Sequence, residues 1–167
     1  MYLQFIDKFY MEQNINTDFL EAMRKMTSTV SVVASKKDDT RYAMTATSVV
    51  SLTLEPPSML ICINKKASIH SILNEKAKLS INILSTDQKE FSELCSNKSR
   101  ENDRFKGDDW SYQDDIPYAT NSVSSLFCEC KQVIDYETHS IFMCKIISLI
   151  NNDSRDCLLY HNASYNV

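Results

Sequence analysis

The segment MTATSVVSLTLEPPSMLICIN, residues 44–64, constrains the fold of this chain more than any other. Small hydroxyl side chains alternate in it with valine and leucine, and an apolar run, MLICI, follows two prolines. Such alternation is typical of half-buried β-strands, and Pro56 and Pro57 interrupt the ladder of hydrogen bonds between strands. The segment therefore predicts two strands separated by the prolines. The first offers hydroxyl groups without bulk, which suits a planar polar ligand.

Length, composition and charge are those of an ordinary globular domain. The chain has 167 residues, of which 43% are hydrophobic and 24% charged, so we predict one domain over residues 1–167 with its core at about 18–160. The net charge of -4 and the absence of a basic run exclude nucleic acid and anionic membranes as expected partners. Residues 1–14 lack the order of a signal peptide, so we expect a cytoplasmic protein.

Six cysteines and a single glycine narrow the chemistry further. In a cytoplasmic protein the cysteines are expected to be reduced thiols, mostly in the core. Cys128 and Cys130 lack the second Cys or His pair of a zinc site, so no metal is predicted. With Gly107 as its one glycine, the chain has no glycine-rich phosphate loop, and Asn and Asp are expected to occupy left-handed backbone positions.

The periodicity predicts a mainly β fold with helical additions, an antiparallel barrel. Asp18 and Glu21 resemble a capping box and predict a helix from Asp18 to Met26. Ser68 and Ser85 are predicted to cap two further helices, and the polar stretch 96–117 is predicted to be a long surface excursion. Predicted strands cover 30–35, a second strand that starts after Arg41 and runs into the segment 44–64, and then 59–64, 79–84, 124–134, 139–149 and 157–160.

Five pieces of the sequence together resemble a known family. They are MTATSVVSLTLEPPSMLICIN, KKASIHSIL, LSINIL, DRF at 103–105 and ETHSIFMCKI at 137–146. In this order and spacing the chain resembles the flavin reductase-like family, the short-chain NAD(P)H:flavin oxidoreductases of two-component flavin monooxygenases. The similarity is greatest to reductase components of 4-hydroxyphenylacetate 3-monooxygenase. It implies an antiparallel split β-barrel of the FMN-binding type and a homodimer.

The resemblance also implies where the flavin binds. The ring is expected along residues 45–51, and the ribityl chain and phosphate near the end of the strand 59–64. His70 stands where the family pattern has threonine. The implied cofactor-binding residues are Thr45, Ala46, Thr47, Ser48, Ser51, Cys62, Ile63, Asn64, Ser68, His70, Arg104 and Phe105.

For several of these residues the sequence leaves a structural alternative open. In the alternative interpretation the threonines of the first strand are purely structural and His70 is a solvated helix residue. Arg104 is expected to pair with the phosphate or with a carboxylate of the excursion, and Phe105 to cover the flavin or to anchor the excursion. Asn82, a polar residue within an apolar strand, is predicted to be satisfied structurally.

His139 is the one residue to which the resemblance gives a catalytic role. The family has Gly-Asp-His or Gly-Thr-His here, whereas this chain has Glu137, Thr138 and His139. The resemblance implies that the histidine positions the nicotinamide, because hydride passes directly from nicotinamide C4 to flavin N5 and alignment is the main contribution of the protein. A structural strand histidine is the alternative.

The predicted function is therefore NAD(P)H-dependent reduction of a flavin, FMN or FAD, by NADH or NADPH. The flavin would be either a bound cofactor or a substrate that is released in reduced form to a monooxygenase partner. One alternative is a flavin-binding protein without reductase turnover, serving as a carrier, a sensor or a subunit of a complex. Another is a related split-barrel enzyme that acts on a pyridoxal-type phosphate or a metal chelate.

Overall fold

The computed structural model describes residues 15–152 and 155–166, which are mostly in antiparallel β-strands. The segment that bears on a signal peptide, residues 1–14, lies outside them. Helix α1 covers residues 15–24, α2 is Lys89–Ser96, and 3₁₀ helices are Ser68–Ile72, Thr86–Gln88 and Lys98–Asp103. The strands are β1 (Ser28–Thr29), β2 (Ser31–Lys37), β3 (Thr40–Ala46), β4 (Val49–Leu54), β5 (Pro57–Asn64), β6 (Lys78–Ile83), β7 (Trp110–Gln113), β8 (Ile116–Ala119), β9 (Ser124–Tyr136), β10 (His139–Asn151), β11 (Leu159–His161) and β12 (Ser164–Asn166).

Seven of these strands form one sheet in the order β3-β2-β6-β9-β10-β5-β4, with every neighbouring pair antiparallel. A three-stranded sheet, β1-β11-β12, and the hairpin β7-β8 accompany it. The prediction of a mainly β fold with helical additions is confirmed. Of the described helices, none has the length and apolar character to cross a membrane.

The two edge strands of the large sheet follow one another in sequence. Only Thr47 and Ser48 separate the end of β3 from the start of β4, so the Cα atoms of Ala46 and Val49 are at most about 11 Å apart. The sheet must therefore curve until its two edges approach each other at this point. The single strand predicted to run into the segment 44–64 is accordingly wrong, because the chain leaves one edge at residue 46 and enters the other at residue 49.

Apolar side chains pack on both faces of β2, and its residues 31–35 are all buried. On one face Val33 packs with Ile81 and Phe142 inside the curved sheet. On the other, Val32 packs with Phe91 of α2 in a second cluster. Because β2 is buried on both faces, its apolar residues Val32, Val33 and Ala34 are consecutive instead of alternating with polar ones. All six cysteines are unpaired, and four of them are buried, as predicted.

Asn82 is a polar residue inside this core, and its hydrogen bonds are complete. Its Nδ2 donates to the carbonyl of Val32 and to Ser80 Oγ, both at 2.9 Å. Its Oδ1 accepts from Ala119 N at 3.1 Å and from Ser125 Oγ at 2.9 Å. The prediction of a structural role for Asn82 is confirmed.

Two predicted helix starts differ from the structure. Residues 15–17 are already helical, so Asp18 lies within α1 instead of capping it. Ser68 is the first residue of its 3₁₀ helix, whose N-cap position is held by Ala67. The hydroxyl of Ser68 is used elsewhere, because it donates to Glu101. The predicted cap at Ser85 is confirmed, with Gln88 Oε1 accepting from Ser85 N at 3.1 Å.

The polar stretch 96–117 is more ordered than its composition suggests, because it contains the 3₁₀ helix Lys98–Asp103, strand β7 and the start of β8. The turn between β7 and β8 consists of Asp114 and Asp115, at φ 48° and 66°. Asn and Asp also take this left-handed conformation at Asp38, Asn121 and Asn162, which confirms their predicted use in place of glycine.

Candidate active site

A cavity of about 180 Å³ opens between β3, the 3₁₀ helix Ser68–Ile72 and the chain that follows α2. Its charged lining residues are Lys66, Lys98, Arg104 and Glu101. Three cationic residues and one acidic residue thus line the cavity, and the net charge of this lining favours a bound anion. The remaining lining residues are Met44, Thr45, Ala67, Ser68, Cys95 and Ser96.

Arg104 is the most deeply buried of these charges, with 6% of its surface exposed. Its Nη1 donates to the carbonyl of Ala43 at 2.5 Å and its Nη2 to the carbonyl of Asn97 at 3.0 Å. Nη1 also lies 3.4 Å from Glu101 Oε1, so the pairing with a carboxylate of the excursion is observed. Its Nε is buried without a hydrogen-bond partner among the described residues. An unpaired buried donor is costly, and because this Nε has almost no accessible surface it does not open onto the cavity.

Phe105 stacks on Trp110 with ring centroids 4.5 Å apart, and the guanidinium of Arg41 lies 4.7 Å from its ring centroid. Trp110 in turn donates to the carbonyl of Arg104 at 2.7 Å. Phe105 therefore anchors the excursion to the body of the protein. It also lines a cleft of about 440 Å³ whose wall includes Ser68 and Glu101.

The chain around Thr45 lines a second, larger cleft. This cleft, of about 500 Å³, includes Thr45, Ala46 and Thr47, and it shares Thr45 and Ser96 with the cavity. Thr45 Oγ1 donates to the carbonyl of Ser92 in α2 at 2.6 Å, so this hydroxyl also fixes the helix against β3. Tyr160 and Tyr165 also line this cleft, and their rings pack edge to face.

Two predicted residues of the segment lie apart from these clefts. The carbonyl of Ser48 accepts from Cys62 N at 3.0 Å and ties the link between the edge strands to β5. Ser51 is exposed on β4 opposite Met59, and it lines none of the three clefts described here.

Asn64 and His139 face each other at the end of the sheet, because they are direct partners in the register of β5 and β10. Asn64 Oδ1 accepts from Lys66 N at 2.9 Å, which holds the chain that leads to the cavity. His139 is exposed, and its Nδ1 lies 2.8 Å from the hydroxyl of Thr138. The structure thus brings the predicted ribityl and nicotinamide residues together.

His70 points away from the cavity. Its Nε2 lies 2.8 Å from Ser140 Oγ, which donates to Asp135 Oδ1 at 2.5 Å. That hydrogen bond, together with Lys65 at 3.7 Å, lowers the pKa of Asp135 below its usual value. Ile63, opposite Ser140, is buried in the core. His70 and Ile63 therefore sit at the end of the sheet and not among the cavity-lining side chains.

Sequence reasoning missed Glu101, Lys98 and Cys95 in the cavity lining. Glu101 lies three residues before Arg104, a spacing that allows a pair on one helical turn, and this signal was available. Lys98 stands in a polar stretch without periodicity. Burial raises the pKa of the Cys95 thiol to about 12, so the sulfur is not a nucleophile at neutral pH.

Glu137, in the hairpin before His139, takes a left-handed backbone with φ of 44°. A glycine fits this conformation without the contact that a Cβ makes. We expect Glu137→Gly to raise the free energy of unfolding by about 1 kcal/mol, measured by urea denaturation. Glu137→Ala is the matched control, since it removes the carboxylate and keeps the Cβ. Equal stabilisation by both variants would contradict the argument from backbone strain.

Comparison with known proteins matches residues 23–167 to the flavin reductase like domain. The chain is 32% identical over 149 residues to the FMN reductase (NADH) RutF of Yersinia enterocolitica, covering 89% of this chain and 82% of that protein. It is 29% identical over 156 residues to the reductase component of the FADH(2)-dependent resorcinol hydroxylase of Rhizobium sp., covering 92% and 87%.

A solved structure agrees with these relatives. BorF, the flavin reductase component of a bacterial two-component tryptophan halogenase, superposes with a TM-score of 0.82 at 26% identity, covering 90% of this chain and 96% of that one. The family inferred from the order and spacing of five motifs is confirmed. This chain belongs to the flavin reductase-like domain family.

Proposed function

We propose that this protein is an NAD(P)H-dependent flavin reductase that binds FMN, with FAD as the alternative flavin. The observation that carries the proposal is the cavity lined by Lys66, Lys98 and the buried Arg104, beside the cleft along Thr45–Thr47. Relatives named as FMN reductase (NADH) and as a reductase component support the flavin and the nicotinamide donor.

The two adjoining clefts fit the two ends of FMN. The cavity of about 180 Å³ has the size and charge for a phosphate with the end of the ribityl chain. The cleft of about 500 Å³ falls within the usual range of ligand pockets and suits the ring. In this arrangement Ser68, Lys66 and Arg104 hold the phosphate, Asn64 meets the ribityl chain, and the backbone of Thr45–Thr47 meets the polar ring edge. Lys66 and Lys98 add charge without fixed geometry.

His139 is proposed to position the nicotinamide. When bound, the flavin supplies N5, which accepts the hydride from nicotinamide C4. His139 lies at the end of β10 beside Asn64, and the Thr138 hydroxyl fixes the orientation of its ring. Its contribution is therefore alignment of the two reacting atoms and not proton transfer.

The test of the function is direct. The purified protein is analysed for bound flavin, and the oxidation of NADH and of NADPH is then followed with added FMN, FAD or riboflavin. We expect reduction of the added flavin by at least one of the two nicotinamides. Flavin that is bound but never reduced would contradict the proposal and would favour the carrier without turnover. No described contact favours that alternative.

Replacing His139 by alanine is expected to slow NADH-driven flavin reduction about tenfold, because small misplacements of the reacting groups have large effects on rate. The dissociation constant for FMN should change less than twofold. His161→Ala is the matched control, since His161 lies on β11, where its Nδ1 contacts Thr27 Oγ1. An unchanged reduction rate in His139→Ala would remove the histidine from the mechanism.

We further propose that the curved sheet is a split β-barrel and that the single domain works as a cytoplasmic homodimer. The two-residue link between the edge strands supports the barrel, and six unpaired thiols support a reducing compartment. Exposed apolar side chains, which a second subunit could bury, support the dimer. They are Ile15, Phe19, Leu20, Met23 and Met26 of the α1 region and Val50, Leu52 and Leu54 of β4. Sedimentation velocity tests the dimer, and a monomer at micromolar concentration would contradict it.

An oxygenase is the proposed partner. Two of the proteins compared above are named as reductase components, of a hydroxylase and of a halogenase. We propose that this protein likewise passes reduced flavin to an oxygenase. The test is flavin-dependent oxygenation in a mixture of the reductase with the candidate enzyme, compared with chemically reduced flavin alone.

A further inference from the structure

Glu101 lies within the cavity that the proposed function assigns to the flavin phosphate. The Ser68 hydroxyl donates a hydrogen bond to Glu101 Oε1. Arg104 Nη1 lies 3.4 Å from the same oxygen. A hydroxyl and a guanidinium that converge on one anionic oxygen are the donors that a phosphate would also use. The carboxylate thus holds the position of an anionic ligand.

The lining of the cavity carries more positive charge than the Glu101 carboxylate neutralises. Arg104 lines the cavity, is more than nine-tenths buried, and meets the Glu101 carboxylate through its Nη1. Lys66 and Lys98 also line the cavity, so the cations outnumber the carboxylate three to one. One carboxylate oxygen between Ser68 and Arg104 satisfies only part of this donor set. The hydrogen-bond donors that remain favour the binding of a further anion with several oxygens, such as a phosphomonoester.

We propose that Glu101 is an internal competitor for the phosphate site and thereby determines how tightly the flavin is held. The inference rests on the proposed function. In the free protein the carboxylate engages Ser68 and Arg104, and it leaves both donors when the phosphate binds. The Glu101 side chain is 37% exposed and lies on the surface 3₁₀ helix Lys98–Asp103, so it reaches solvent by rotation about its own bonds.

This competition has a consequence for how the flavin is used. Each phosphate that enters must displace the carboxylate and remain close to its negative charge, which weakens binding. Riboflavin, which has no phosphate, does not meet this competition. Glu101 therefore narrows the preference for FMN over riboflavin and speeds the release of FMN. A flavin that is released suits a substrate handed to another enzyme better than a resident cofactor.

The test compares Glu101→Gln with the unchanged protein. Glutamine keeps the length of the side chain and an oxygen that accepts from Ser68 and Arg104, but it removes the like charge. We expect the affinity for FMN to rise about tenfold and the affinity for riboflavin to change less than twofold, both measured by flavin fluorescence at fixed ionic strength. Inorganic phosphate should also compete with FMN at a lower concentration in the variant.

Asp103→Asn is the matched control, because it removes one negative charge from the same 3₁₀ helix without lining the cavity. Its ratio of FMN to riboflavin affinity should stay within twofold of the unchanged protein. Glu101→Ala is a second variant, expected to shift the ratio in the same direction as Glu101→Gln, and a melting temperature for each variant confirms folding.

Three results would overturn the inference: an unchanged ratio in both Glu101 variants, an equal gain for FMN and riboflavin, or a gain for FMN without stronger competition by phosphate. These results are distinguishable from failure of the proposed function. That failure would appear in the unchanged protein as the absence of flavin binding and of flavin reduction.

Discussion

Replacing Asn82 by leucine is expected to lower the free energy of unfolding by about 4 kcal/mol. The substitution removes a fully buried side chain that makes four hydrogen bonds within the protein. The Ala119 amide and the Val32 carbonyl each lose the partner that Asn82 gave them. A buried polar group without a partner costs about 1–3 kcal/mol, and leucine offers no replacement donor or acceptor.

This loss is a large fraction of the total stability, because the free energy of unfolding of a domain is only about 5–15 kcal/mol. Urea denaturation measures it, and the slope of the unfolding free energy with urea should stay unchanged. Asn74→Leu makes the same chemical change at an exposed position and is expected to shift stability by less than about 0.5 kcal/mol. A loss below 1 kcal/mol in Asn82→Leu would show that the network relaxes around the substitution.

Replacing Arg104 by methionine is expected to lower the free energy of unfolding by about 3 kcal/mol. Methionine preserves the apolar stem and removes the guanidinium, which joins β3 at Ala43 to the chain at Asn97. Both carbonyls lose a charged donor, and Glu101 loses its neighbouring cation. The excursion then loses its attachment to β3.

Arg104→Lys separates charge from geometry. Lysine keeps the positive charge but cannot donate in two directions from a planar fork, so its stability should lie between that of the unchanged protein and Arg104→Met. Trp110 is the one tryptophan of the chain and contacts the Arg104 carbonyl, so its fluorescence reports on the attachment of the excursion. Equal stability of the lysine and methionine variants would contradict the role of the fork.

The affinity for FMN gives a second readout for the same variants. If Arg104 holds the phosphate, Arg104→Met should weaken FMN at least tenfold while riboflavin changes little, because only FMN carries the charge. A parallel loss for both flavins would mean that Arg104 acts on the flavin only through the shape of the cleft.

Much of the fold was accessible from sequence because the relevant signals are local. The local pattern of apolar residues predicts strands at 30–35 and 79–84; both are present, and Asn82 has its predicted structural role. The order of five motifs identified the family, and two of these motifs place Asn64 and His139 at strand ends. Those ends at Asn64 and His139 are brought together by the register of β5 and β10.

The missed features depend on contacts between distant parts of the chain. The hairpin β7-β8 turns at Asp114 and Asp115, without the glycine that usually marks such a turn. The role of Glu101 depends on Ser68, which is 33 residues earlier. The break between β3 and β4 depends on which neighbour each strand pairs with, because β3 pairs with β2 and β4 with β5. Side-chain periodicity carries no information about such partners.

The link Thr47–Ser48 connects ligand binding to the integrity of the sheet. It joins the two sheet edges, and Thr47 also lines the cleft proposed for the flavin ring. A ligand held there stabilises the closed arrangement by mass action, whereas an opened sheet would no longer form the cleft. Amide hydrogen exchange in β3 and β4 should therefore slow as the flavin concentration rises, even at positions far from the ligand. The exchange rates of the amides in these two edge strands would then report the fraction of the protein that has flavin bound.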